Sequence, residues 1–75
     1  MKTIQVIVRL STGQDLDIEI PVDISADKLI KALHEGLHLP GPCPAYIRSE
    51  NPLAMIYGSA NVSEYALHKG SILFL

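Results

Sequence analysis

In Val8-Arg9-Leu10-Ser11-Thr12-Gly13-Gln14-Asp15-Leu16-Asp17-Ile18-Glu19-Ile20, apolar and polar residues alternate on both sides of a short break at Ser11-Thr12-Gly13. Leu16, Ile18 and Ile20 interleave with Asp15, Asp17 and Glu19. Upstream, Ile4, Val6 and Val8 interleave with Gln5, Ile7 and Arg9. A period of two is the mark of a strand with one face buried and one wet. Gly13 supplies the positive φ that a three-residue loop with a bulge requires, so the two strands form an antiparallel hairpin.

Beyond the hairpin the period changes. Pro21 closes the second strand because it cannot donate to a ladder. Ser25 is a good N-cap, Asp27 lies where the helix dipole favours a negative charge, and Ala26, Leu29, Ile30, Leu33 and Leu37 recur at spacings of three and four. This is one amphipathic helix, expected to end near Glu35 with Gly36 as a left-handed cap. Pro40, Pro42 and Pro44 make the next segment a stiff crossover. Three apolar pieces follow, Ala45 to Arg48, Leu53 to Tyr57 and Ser71 to Leu75, separated by turns at Glu50-Asn51-Pro52 and His68-Lys69-Gly70. Asn61 to Leu67 reads as a single helical turn pinned by Leu67.

Seventy-five residues make one small domain, spanning 1–75, which leaves little chain for a deep active-site pocket. Six basic against eight acidic side chains offer no field for a polyanion, so nucleic acid is not an expected partner. The single cysteine, Cys43, excludes an internal disulfide and a thiolate cluster. No apolar run has signal-peptide or membrane-spanning length, and the expected location is the cytoplasm, without membrane insertion.

Strand, strand, helix, strand, strand, short turn, strand is an α+β order in which a mixed sheet of four to five strands packs on one helix, the β-grasp arrangement. The residues carry a resemblance of their own. Val8 to Ile20 resembles the first hairpin of ubiquitin, Glu35-Gly36-Leu37 the end of its helix, and Val62-Ser63-Glu64-Tyr65-Ala66-Leu67-His68-Lys69-Gly70-Ser71-Ile72-Leu73 its late turn and last strand. Within this superfamily the chain resembles the YukD/EsaB family, the small ubiquitin-like proteins of bacterial type VII secretion systems. The Tyr46-Ile47-Arg48 strand, the Val62-Ser63-Glu64-Tyr65 turn with its basic-glycine corner, and the end at Leu75 carry that likeness. It implies a cytoplasmic accessory or regulatory role through contact with other secretion components. The alternatives are the cytosolic ubiquitin-like domain of an EccD-type membrane component, and a carrier activated at a C-terminus beyond Leu75.

Ubiquitin and the sulfur carriers of this fold are activated through a flexible Gly-Gly tail, whereas this chain ends Ile72-Leu73-Phe74-Leu75. Conjugation and sulfur transfer are therefore not expected. No enzymatic activity, cofactor or metal is expected either. His34 and His38 are four apart, but Gly36 and the helix end intervene, and they read as solvated. Cys43, between two prolines and without an adjacent base, reads as partly buried packing rather than a nucleophile. The acidic row of Asp15, Asp17 and Glu19 reads as a solubilising strand face. With Ile72 and Phe74 assigned to the helix side, Leu73 and Leu75 fall on the opposite face beside Ile7 and Tyr46, edged by Arg9 and Arg48. These six residues form the expected protein-interaction patch, for secretion components or for a second copy of the chain in a sheet-face homodimer.

Overall fold

A computed structural model describes residues 2–75. The hairpin forms as its alternation requires: β1 (Thr3–Arg9) pairs antiparallel with β2 (Asp15–Pro21), Val6 facing Ile18 and Arg9 facing Asp15 across the ladder. Gly13 takes φ 91° at the turn, and its N–H donates to the Leu10 carbonyl at 2.8 Å. Helix α1 (Ala26–Gly36) is capped by Ser25, whose hydroxyl accepts from the Lys28 N–H, and buries Ala26, Leu29, Ile30 and Leu33. Three further strands, β3 (Tyr46–Glu50), β4 (Ala54–Tyr57) and β5 (Ile72–Phe74), complete a five-stranded sheet in the order β2-β1-β5-β3-β4. The last strand runs parallel to β1 and antiparallel to β3, so it lies in the middle.

The helix covers one face of this mixed sheet. Val6, Val8, Ile20, Ile47, Ile56 and Leu73 from the sheet meet Ala26, Leu29, Ile30 and Leu33 from α1 in one core. The other side of the helix entrance is tied down by the chain between β4 and β5. Ala26 and Asp27 donate their N–H groups to the carbonyls of Ala60 and Gly58, and the Asp27 carboxylate accepts from the Gly58 N–H at 2.9 Å. The 3₁₀ turn Val62–Tyr65 is closed by a capping box in which Asn61 and Glu64 satisfy each other's backbone N–H groups.

Several boundaries differ from the sequence expectation. The helix runs through Gly36, and the left-handed position falls at His38 (φ 52°), where the N–H groups of His38 and Leu39 return to the carbonyls of Glu35 and His34. This is the Schellman closure, displaced two residues from the glycine. Glu50 belongs to β3 rather than to the turn, because it pairs with Ile72 of the central strand. Val62, fully buried, pins the 3₁₀ turn, while Leu67 packs against the core edge only in part.

The largest correction concerns β5. Val8 and Ser49, both buried, flank Leu73 in the ladder, whereas Arg9 and Arg48 flank Phe74. Leu73 is therefore a core residue with 0% exposure, and Ile72 and Phe74 face away from the helix, the reverse of the expected phase. Leu75 follows Leu73 to the helix side, its N–H donating to the Arg9 carbonyl at 2.9 Å.

Candidate protein-docking face

The sheet surface opposite α1 is built by the residues that alternation turns outward. Register places Asp15, Arg9, Phe74, Arg48 and Met55 in one row across all five strands. A second row holds Asp17, Ile7, Ile72 and Glu50, and the cross-strand pair Tyr46 and Tyr57 lies on the other side of the first. The face thus divides into an acidic margin on β2 and a mixed apolar and cationic area on β1, β5, β3 and β4, with Glu50 as the acidic member of β3.

Phe74 is the centre of that area. The Arg48 guanidinium carbon lies 4.3 Å from the Phe74 ring centroid and that of Arg9 lies 5.7 Å from it, so the aromatic ring is held between two cations. Each such contact contributes about 0.5–1 kcal/mol at an exposed site. The two arginines are not equivalent. Arg9 grips Asp15 with two hydrogen bonds, Nε to Oδ1 at 2.8 Å and Nη2 to Oδ2 at 3.2 Å. The hydrogen bond and the adjacent guanidinium charge hold the Asp15 carboxyl below its ordinary pKa, and Asp15 in turn raises that of Arg9. Arg48 approaches Glu50 only at 3.6 Å. Among the described residues its guanidinium makes no hydrogen bond.

Toward the β4 edge the face becomes openly apolar. Tyr46, Met55 and Tyr57 are 56%, 47% and 59% exposed, and with Ala45 they line a shallow hollow of about 290 Å³. The edge of β4 is held partly by Tyr65, whose hydroxyl donates to the Tyr57 carbonyl at 2.9 Å and accepts from the Tyr57 N–H at 3.3 Å.

Of the six residues expected to form the patch, the structure brings together Ile7, Arg9, Tyr46 and Arg48 on this face. It removes Leu73 to the core and Leu75 to the opposite side, where Leu75 lines a hollow with Ser11, His34, Leu39 and three prolines. Ile72, Phe74, Met55 and Tyr57 take their place. Met55 and Tyr57 carried a readable signal: they alternate with Ala54 and Ile56, and only one of the two sets can face the helix.

The remaining polar candidates are dispersed. His34 is half-buried with Nε2 3.0 Å from the Gly41 carbonyl, and His38 has left the helix, so the two imidazoles do not share a helix face. Cys43 is exposed on the crossover, not partly buried as expected: the whole stretch from Gly41 to Ala45, both neighbouring prolines included, lies on the surface. Among the described residues, no group of three or more His, Cys, Asp or Glu side chains could hold a metal ion. No helix among them is long and apolar enough to cross a membrane.

Comparison with solved structures agrees with this architecture. The ubiquitin-like domain of Plasmodium falciparum Dsk2 superposes with a TM-score of 0.69 at 20% identity, covering 97% of both chains. The C-terminal ubiquitin-like domain of mouse tubulin-specific chaperone e gives a TM-score of 0.70 at 16% identity, over 97% of this chain and 84% of that one. A structure described as molecular mimicry of SUMO that promotes DNA repair gives 0.69 at 25% identity, over 100% and 94%. No protein-family model matches the chain, and no curated protein matches it in sequence. The fold is the ubiquitin-like β-grasp, an α+β arrangement of one helix on a five-stranded mixed sheet.

Proposed function

We propose that this chain is a non-enzymatic docking module that recognises a protein partner through the sheet face opposite α1. The observation that carries the reading is Phe74, an aromatic residue held on the uncovered face of the central strand by Arg9 and Arg48 and continued by Tyr46, Met55 and Tyr57. Aromatic and arginine side chains are the residue types that anchor protein interfaces, and a domain this small leaves apolar area on its surface at a cost to solubility. The resemblance to the YukD/EsaB family supports a setting for that partner: a bacterial type VII secretion system, with this chain as its cytoplasmic accessory or regulatory component.

The test is capture of purified, co-encoded secretion components by the immobilised chain, beside a thermal melt of each variant. Phe74→Glu reverses the character of the face at its centre without entering the core. It should weaken capture at least tenfold while leaving the fold intact, since interface anchors commonly contribute about 2 kcal/mol or more. Equal capture by the folded variant would refute the sheet face as the contact. A second copy is the competing occupant, and sedimentation of the free chain separates a homodimer from a heteromeric contact.

A further inference from the structure

The hollow at the β4 edge and the guanidinium beside it are complementary to one kind of ligand. Arg48 is ringed on the outer face by Phe74 from β5, Met55 from β4, and Tyr46 and Glu50 two residues away along its own strand. Its aromatic contact at 4.3 Å fixes the guanidinium against Phe74. Among the described residues its only ionic contact, Glu50 at 3.6 Å, is too long to be a hydrogen bond, and the Arg48 side chain remains 52% exposed. The cation therefore stands with donors free beside the apolar hollow of Ala45, Tyr46, Met55 and Tyr57. Arg9, by contrast, is already bidentate on Asp15 and has little left to offer an incoming carboxylate.

We propose that this corner is a recognition site for a short peptide segment carrying a large aliphatic side chain next to a carboxylate. The aliphatic group fills the hollow at Tyr46, Met55 and Tyr57, and the carboxylate takes the free donors of Arg48. The inference rests on the sheet face being the contact surface, and it adds which chemistry that surface selects. Charge complementarity determines the sign. Arg48 is the cation nearest the hollow; Glu50 lies one row beyond it, on the side away from Tyr46 and Tyr57, and the other acidic side chains of the same face, Asp15, Asp17 and Glu19, lie on β2 at the far edge of the sheet. A basic segment would find its partners at Glu50 or on β2, neither of which borders the hollow. Among the described residues Glu50 is the one carboxylate within 4 Å of the Arg48 guanidinium, and an incoming acid replaces a loose contact with hydrogen-bonded ones.

The experiment is an amide NMR titration of the isotope-labelled chain with three capped hexapeptides. They are identical except that one position beside a single leucine is glutamate, glutamine or lysine. The glutamate peptide should shift the amides of Tyr46, Arg48, Met55 and Tyr57, binding about threefold to fivefold more tightly than the glutamine peptide, the range an exposed ion pair supports. Lysine should bind more weakly than either. Arg48→Gln should bring the glutamate-to-glutamine ratio to one, and Lys31→Gln, on the exposed side of the helix, should leave it unchanged. Met55→Ala should weaken all three peptides together. Equal binding of the three peptides at these amides overturns the proposed selectivity while leaving the sheet face as a contact surface. Shifts confined to other surfaces, or no saturable shift with any peptide, overturn the site itself, and capture by Phe74→Glu then decides the docking face separately.

Discussion

Leu73→Ala should remove a large share of the stability of this domain, whereas Phe74→Ala, one residue away, should remove little. Leu73 is fully buried in the central strand, between Val8 and Ser49 in the ladder and beneath α1. Truncation to alanine deletes three carbon atoms, worth roughly 2.4 kcal/mol at about 0.8 kcal/mol each. The cavity left in a core closed on both sides by neighbouring strands adds to this, so the cost falls within the about 2–5 kcal/mol typical of buried leucine truncations. A 75-residue domain has only roughly 4–11 kcal/mol in total. With roughly 4–8 °C lost per kcal/mol at this size, the melting midpoint should fall on the order of 10–30 °C. Phe74→Ala loses the arginine contacts of an outward ring and should cost about 1 kcal/mol. Leu73→Asp places an unpaired carboxylate in the core and should be unfolded at room temperature. Urea denaturation followed by far-ultraviolet circular dichroism gives the two alanine values, and the spectrum without urea shows whether Leu73→Asp is folded. A larger loss for Phe74→Ala than for Leu73→Ala would show that the last strand is packed in the opposite phase.

Two further outcomes follow from hydrogen bonds and charge. Ser71→Ala should cost about 1–3 kcal/mol in the same denaturation assay, because its buried hydroxyl donates to the Asn51 carbonyl at 2.7 Å and accepts from the His68 N–H at 3.0 Å, and alanine leaves both groups unpaired. The carboxyl of Asp15, held low by Arg9, should titrate below the ordinary aspartate range when followed by NMR, and Arg9→Gln should return it to that range. Because the folded pKa is depressed, whatever stability the pair supplies is present above the unfolded pKa and lost as pH falls through the folded value. Both groups are solvent-exposed, so the contribution is small and weakens with salt.

The hairpin and the helix were legible because each has a long, regular period. Seven-residue strands with Val6 and Val8 on one side and Asp15, Asp17 and Glu19 on the other admit one orientation, and the stripe of Ala26, Leu29, Ile30 and Leu33 admits one helix face. The phase of β5 was not legible. Ile72-Leu73-Phe74-Leu75 is apolar throughout, so alternation carries no information, and the choice is made by neighbours distant in sequence. Leu73 is drawn inward by its pairing with Val8 and Ser49, and Phe74 outward by its pairing with Arg9 and Arg48. The expected patch inherited this error: Ile7, Arg9, Tyr46 and Arg48 of β1 and β3 lie on the outer face, whereas Leu73 and Leu75 of the last strand turn to the helix side. The helix end was misplaced for a different reason. Gly36 can take a left-handed conformation, but the closing hydrogen bonds form two residues later, where His38 adopts it.

The central claim is that contact is made by the sheet face and not by the helix. Its most direct test is the amide NMR spectrum of the isotope-labelled chain on titration with an unlabelled protein partner that it captures. Line broadening should centre on Arg9, Arg48, Met55 and Phe74, with the exposed helix residues Lys28, Lys31 and Glu35 unaffected. Broadening centred on those helix residues, with the Phe74 region unchanged, would contradict the account.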